Sequence, residues 1–287
     1  DGVSKYVNIG SWIDNHLDLR KNEIRHFPED RNMEYLELDK HVYIPTGDSL
    51  GNTSWGLMTA VTRHDPGTRV FEFETMSGRM ITEADSESLL VWNGTQFEKK
   101  HSEEISINEF VPVTLNLPAP LDVKTHIDIY GTEFCLDKEF GTFIGLFLAD
   151  GNTDEHSGTV CITTHNEEEL KTFVKTWFER YNIRYKERAG TIHASSTSLQ
   201  RFLDMFVGRS VHAKHVPDIA FNSPQDFVIG LLTGYFSGHG DGHVENGVIS
   251  AGSVSERLMD GISFLLARIG VFGLKCNNFG TTHTISI

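Results

Sequence analysis

Along the first 118 residues, apolar positions recur at every second residue in short runs: Val42–Pro45, Thr59–Thr62, Val70–Thr75, Ser88–Trp92 and Phe110–Val113. Side chains alternate between the two faces of a strand, so β-branched and aromatic residues at this period predict half-buried strands. Turn chemistry separates the runs at Pro45-Thr46-Gly47-Asp48, Asp65-Pro66-Gly67, Ser77-Gly78-Arg79 and Trp92-Asn93-Gly94. The pattern predicts a compact, β-rich unit over residues 1–118. Leu117-Pro118-Ala119-Pro120 then interrupts the chain, and residues 119–135 read as a linker or arm.

Beyond residue 135 the period changes. Phe143–Ala149 is continuously apolar and predicts a buried helix, whereas Glu168, Leu170, Phe173, Val174, Trp177 and Phe178 recur at three- and four-residue intervals, as on an amphipathic helix. The same layout begins again at Asp226: an apolar helix over 227–238, a strand at Val248–Ala251 and an amphipathic helix over 255–269. The repeat distance is roughly 85 to 90 residues, which predicts two copies of one structural unit.

The formal charge of −15 argues against a surface coated for non-specific nucleic-acid binding. The acidity is uneven, however. Residues 1–135 hold 12 Lys and Arg against 23 Asp and Glu, while residues 136–287 hold 13 against 17. A nucleic-acid face in the second part must be a local patch, and Lys171, Lys175, Arg180, Arg184, Lys186 and Arg188 form the densest cationic run. No apolar run reaches the roughly 18 residues that span a bilayer, and the first residues lack the pattern of a signal peptide. The expectation is a soluble intracellular protein of cytoplasm or nucleus, without a membrane partner. Cys135, Cys161 and Cys276 are too scattered for a disulfide framework or zinc cluster and read as buried, reduced thiols.

The two apolar segments read FIGLFLADG at 143–151 and LTGYFSGHG at 232–240, the second followed by Asp241-Gly242. They resemble the paired helices of a two-motif LAGLIDADG homing endonuclease, and the resemblance extends over most of residues 136–287. It implies an α+β fold: a pseudo-twofold duplicate of an αββαββα-type unit, with halves at about 136–205 and 212–287. Small residues at spacing four, Gly145 and Ala149, then Gly234 and Gly238, let the helix backbones approach. The resemblance further implies that an acid at each helix end holds Mg²⁺ over the scissile phosphates. Asp150 is the first such acid and metal ligand. In the second copy His239 stands opposite Asp150 and Asp241 lies two residues beyond, so either Asp241 serves as catalytic and metal ligand or the second site is incomplete. Lys214-His215-Val216-Pro217 resembles the family block whose Lys, here Lys214, stabilises charge on the reacting phosphate. His212 and His215 read as a solvated helix end. The implied partner is double-stranded DNA, bound at a long specific site in the major groove. The sheet residues expected there are Thr159, Thr163, His193, Ser195 and Thr197. Internal pseudo-symmetry implies a monomer.

Residues 1–118 resemble the HINT domain of an intein, with Phe73–Thr82 like one of its conserved blocks. Where that family has a Thr-x-x-His pair assisting the first acyl shift, this chain has Ala84 and Glu87. It also begins at Asp1 and ends at Ile287, without the terminal nucleophile and His-Asn that splicing needs, so the chain as given is expected not to splice. Three readings follow: an active site-specific DNA endonuclease, a DNA-binding relic or nickase decayed at His239, and a structural HINT remnant. A nucleotide-binding loop at Gly238–Gly242 is disfavoured, because the run follows a helix and precedes a strand, the reverse of the Rossmann order.

Overall fold

The computed structural model describes residues 3–84, 89–165, 167–238, 247–278 and 282–287. The chain divides into two compact units, one spanning Val7–Pro118 and the other Ala119–Ile287 together with residues 1–6.

The Val7–Pro118 unit opens on helix α1 (Ile9–Leu19), an element that the period-two alternation does not predict and that adds a helix to the expected β-rich unit. Asn8 caps the helix by accepting from Ser11 N at 3.0 Å. Three antiparallel strands follow in the order β1 (Arg25–Phe27), β2 (Met33–Gly47) and β3 (Thr53–Arg63). The last two are long and bend where the pairing register shifts between Glu37 and Val42. Leu17 of α1 meets Leu36 and Val61 in a small buried cluster. Two further hairpins pair β4 (Val70–Glu74) with β5 (Met80–Ala84), and β6 (Leu89–Trp92) with β7 (Phe97–Lys100). Phe110–Val113 is not a strand: Trp92 N donates to Phe110 O at 2.8 Å without a ladder forming.

Residues 119–135 are not a free linker. They form the hairpin β8 (His126–Ile129) and β9 (Thr132–Cys135), turned at Tyr130 and Gly131, both at positive φ. Ile129 and Phe134 are buried in the core of the second unit, so the hairpin is part of that unit. The first half then runs α2 (Lys138–Asp150), β10 (Gly151–Asp154), β11 (Thr159–Thr163), α3 (Glu168–Arg180), β12 (Arg184–Arg188), β13 (Thr191–Ser195) and α4 (Thr197–Phe206). Its sheet has the antiparallel order β10-β11-β13-β12. The second half, among the described residues, runs α5 (Gln225–Gly238), β14 (Ser250–Ser253), α6 (Glu256–Arg268), β15 (Leu274–Asn278) and β16 (Thr282–Ser286), with sheet order β14-β16-β15. The β11-β13-β12 order of the first sheet is thus repeated. Val160, Ile162, Ile192 and Ala194 face the core on one sheet and Ala251 and Ile285 on the other.

Helices α2 and α5 run side by side in the same direction through this core. A Cβ placed on Gly145 would strike Leu231 O and lie 2.6 Å from Tyr235 N, and one on Gly234 would strike Thr142 O and lie 2.9 Å from Leu146 N. Each partner differs from its counterpart by 89 residues, as do Gly141 against Phe227 O and Gly230 against Lys138 O. The contact is therefore reciprocal, as across a twofold axis. Gly238 meets Ala149, with 2.7 Å between a built Cβ and that of Ala149. Gly141 and Gly230 extend the small-residue stripe a full turn beyond the four positions inferred from the sequence.

Residues 3–6 form a short strap on the second half. Ser4 N donates to Asn222 Oδ1 at 2.6 Å and Asn222 Nδ2 returns a bond to Ser4 O at 2.8 Å. The Tyr6 ring lies tilted against Phe264 at 5.1 Å and its hydroxyl donates to Asp260 at 3.2 Å; burial, then Asp260, pushes that hydroxyl up to about pKa 12.

Because any side chain at Gly145 meets backbone, Gly145→Ala is expected to lower the stability of the Ala119–Ile287 unit by about 1 to 3 kcal/mol, the range for core overpacking. Calorimetry of the full chain checks this, and an unchanged transition contradicts the close helix contact.

Candidate active site and nucleic-acid interface

The parallel packing of α2 and α5 brings their C-terminal ends together, and the ends carry the candidate chemistry. Asp150 is the last residue of α2, with Gly151 N returning to Phe147 O to close the helix. Its half-exposed carboxylate lies 2.5 Å from His165 Nε2. His165 follows β11 and has a φ of 46°, an uncommon backbone for a non-glycine residue. No spacing along the chain pairs it with Asp150: the two residues are brought together by the β10–β11 hairpin, whose register places Gly151 opposite Ile162.

Lys214 lies on the segment that leads from α4 to α5. It is 5% exposed, and its Nζ donates to Phe147 O at 2.9 Å and Leu148 O at 3.1 Å, two carbonyls in the last turn of α2. The ammonium also sits 5.4 Å from the Phe147 ring centroid. Burial lowers its pKa to about 8, and the nearby charge of Asp150 opposes that shift. On its other side, Lys214 O accepts from Ser255 Oγ at 2.7 Å, and Ser255 caps α6. One residue thus ties the end of α2 to the start of α6. His215 is turned to Ala213 O, and His212 is exposed.

His239 and Asp241 lie outside the described residues. Among the described residues, no group of three or more His, Cys, Asp or Glu side chains is assembled to hold a metal. The Asp150 carboxylate at the end of α2 is a hard oxygen donor of the kind that divalent cations such as Mg²⁺ take.

The cationic run splits in two. Lys171 and Lys175 reach Glu187, at 3.4 and 2.6 Å, and Lys171 also reaches Glu168 at 2.8 Å. Arg180 pairs with Asp137 at 3.1 Å and with Glu139. These three cations are neutralised beside α3, which buries Val174, Trp177 and Phe178 in the core, and they are not a free phosphate-binding surface. After the turn at Tyr181–Ile183 the strand period takes over. Arg184, Lys186 and Arg188 of β12 then point to the face opposite Glu187, where none is ion-paired with a described residue.

With His193, Ser195 and Thr159 these three cations line an open groove of about 580 Å³. Thr163 approaches Thr191 at 3.4 Å on the same two strands. Thr197 starts α4 beside Gly158 instead of standing on the sheet. Cys161 Sγ lies 3.1 Å from His193 Nδ1 in the groove, and burial, then Asp154, pushes its thiol pKa up. No disulfide joins the cysteines; Cys161 is buried, but Cys135 is half-buried and Cys276 exposed, contrary to the expectation that each is buried.

No described helix is long and apolar enough to cross a membrane. Residues 226–278 match the family model described as a LAGLIDADG-like domain. The chain is 25% identical to the DNA-directed RNA polymerase subunit Rpo1C of Methanocaldococcus jannaschii, over 94% of this chain and 34% of that protein. It is 22% identical to transcription initiation factor IIB of the same organism, over 94% and 36% respectively. A DNA polymerase of Thermococcus hydrothermalis is 26% identical over 53% of this chain and 9% of its own length. The chain therefore spans about a third of the length of the first two relatives. Among solved structures, I-DmoI in complex with DNA and Ca superposes with a TM-score of 0.40 at 13% identity, covering 53% of this chain and 83% of that one.

The depressed pKa of Lys214 sets a pH dependence. A cation whose folded pKa lies below its unfolded value carries a burial penalty in full at pH below 8, and that penalty fades as pH rises towards 10.5. Measured as the difference between the wild type and Lys214→Met, so that tyrosine titration cancels, stability should rise across this window by about 3 kcal/mol. A flat difference in denaturant titrations would show that Lys214 is not buried as a cation.

Proposed function

We propose that the Ala119–Ile287 unit is a homing endonuclease of the LAGLIDADG type, hydrolysing phosphodiester bonds of double-stranded DNA at a long specific site with Mg²⁺. The observation that carries this reading is the reciprocal α2–α5 contact. It sets the two helix ends beside one another on a pseudo-twofold axis, in keeping with the near-twofold symmetry of a DNA duplex, and it does so within one chain, so a monomer suffices. The match of residues 226–278 to the LAGLIDADG-like domain supports the same reading.

In this scheme Asp150 offers a hard anionic oxygen at the end of α2. Mg²⁺, when bound there, supplies Lewis-acid activation of water and of the leaving oxygen. Lys214, charged below a pH of about 8, holds positive potential under the reacting phosphate and fixes the α2 end. His165 orients the Asp150 carboxylate before substrate arrives. The sheet face bearing Arg184, Lys186, Arg188, His193 and Ser195 takes the DNA, with phosphates neutralised by the cations and base edges met by the shorter polar side chains.

For the second site we extend the 89-residue register of the glycine contacts along the sequence past Gly238, which pairs His239 with Asp150 and leaves Asp241 two residues further on. That register favours, as a second reading, a nickase or a DNA-binding relic with one complete metal site.

We also infer that the chain is the inner part of an intein, with Val7–Pro118 its HINT-like portion. Matches over 94% of this chain fall within a third of an RNA polymerase subunit and a third of a transcription factor. An element carried inside different hosts gives such matches; a domain serving one host's chemistry does not. Ala84 ends β5 and Glu87 lies outside the described residues; neither provides the imidazole of the acyl-shift pair, so we infer that the chain does not splice.

Selection from a random plasmid library, followed by separation of supercoiled, nicked and linear forms, tests the assignment. Wild type should linearise its selected plasmid with Mg²⁺, and Asp150→Asn should slow cleavage about 100-fold or more while retaining binding. If Asp241 is the second ligand, Asp241→Asn has the same effect. Accumulation of nicked product, with His239→Asp restoring linearisation, instead establishes the second reading. Cleavage undiminished in Asp150→Asn removes the assignment.

A further inference from the structure

The two sheets are alike in strand order and opposite in character. On the first, Arg184, Lys186 and Arg188 stand at alternate positions of β12 on the exposed face, opposite Ser195, His193 and Thr191 of β13. Asp154, which also lines the groove, is already engaged by Ser157 at 2.7 Å. On the second sheet the corresponding face carries Ser250, Gly252, Leu274, Cys276, Thr284 and Ser286. No cation stands among them. Several of its polar groups are spent internally, since the Ser250 and Ser286 hydroxyls meet at 2.8 Å and Thr284 Oγ1 donates to Cys276 O at 3.2 Å.

Nor does the rest of the second half supply charge to this face. From residue 239 to residue 287 the sequence holds only Arg257, Arg268 and Lys275 as Lys or Arg. Arg257 lies on α6. Arg268 donates to Ala220 O at 2.7 Å and Ser223 O at 2.8 Å. Lys275 points to the core side and binds Asp260 at 2.5 Å. The difference is thus a property of the sequence and not of one side-chain arrangement.

We propose, resting on the reading of this unit as a DNA-binding enzyme, that it holds duplex DNA in a polarised way. The β10–β13 sheet makes the phosphate contacts that release counterions and hold the complex. The β14–β16 sheet lays an uncharged surface of short polar side chains and Leu274 along the other half of the site, adding shape and base-edge contact without salt-dependent affinity. An otherwise acidic protein, at net −15, then meets a polyanion through one cationic patch on one half of a symmetric scaffold. This explains how a strongly acidic chain and a DNA partner coexist.

Counterion release makes log K fall with log salt by about 0.9 for each phosphate neutralised on B-DNA. The test is the salt slope of binding to a random-sequence duplex, by fluorescence anisotropy between low and moderate salt, with the full-length chain. The exposed triple variant Arg184→Gln, Lys186→Gln, Arg188→Gln should lower the slope by about 2 to 3, and Lys186→Gln alone by up to about 0.9. Thr284→Lys, placing a cation on the neutral face, should steepen it by up to about 0.9. Melting temperatures within a few degrees of wild type confirm that all three variants fold. If wild type binds but the Gln variants keep its slope, the polarised arrangement is wrong and the DNA-binding reading stands. An unchanged slope in Thr284→Lys likewise overturns it, since the second sheet then does not lie on DNA. If wild type binds no duplex even at low salt, the nuclease reading itself fails.

Discussion

The Ala119–Ile287 unit depends on one constraint: two helix backbones must come close enough that no Cβ fits between them. Gly141, Gly145, Gly230 and Gly234 meet carbonyl oxygens or amide nitrogens of the opposing helix, and Gly238 meets Ala149. In an isolated helix each glycine costs about 1 kcal/mol relative to alanine, so five of them oppose helix formation by about 5 kcal/mol. The tertiary contact must exceed that cost. It does so by letting the flanking large side chains, Phe140, Phe143, Leu146, Phe227 and Tyr235, bury completely around the helix pair, with Phe143 stacked on Trp177 at 3.8 Å. The site inherits its geometry from this contact, because the position of Asp150 is the position of the α2 terminus.

Lys214 shows how the terminus is then held. A cation at a helix C-terminus is favourable to the peptide dipoles, and here the two carbonyl bonds and the Phe147 ring partly offset the loss of hydration. The same Lys contributes its own carbonyl to the cap of α6. A shift of the second half is therefore felt at the end of α2 through Lys214 as well as through the α5 contact at Ala149, so the chemistry and the inter-half packing share this corner of the unit.

Much of this was legible in the sequence because it depends on local period and composition. The apolar helices, the spacing-four small residues, the strand alternation of β12 and β13 and the repeat all leave a one-dimensional trace. What escaped was either short or non-local. Helix α1 carries Ile9, Trp12, Ile13 and Leu17 at helical spacing behind an Asn cap, but it is a single amphipathic segment among strands. Hairpin β8–β9 is only four residues per strand and was hidden by the proline run before it. Lys171, Lys175 and Arg180 looked continuous with Arg184–Arg188 because a charge count ignores the turn that sends helix and strand to opposite faces. The His165–Asp150 contact is set by a hairpin register, which no spacing along the chain reports.

The strap at residues 3–6 alters what kind of chain this is. With Ser4 bound to Asn222 and Tyr6 to Asp260, the Val7–Pro118 unit leaves and returns to the same body, so topologically it is a loop closed at both ends. Loop-closure entropy grows only logarithmically, with each doubling of length costing about 0.6 kcal/mol. Whatever occupies the interval between the strap and Ala119 is therefore nearly neutral in length for the folding of the rest. Such an interval is a place where a lineage can gain, trim or exchange a whole domain without having to redesign the helix pair.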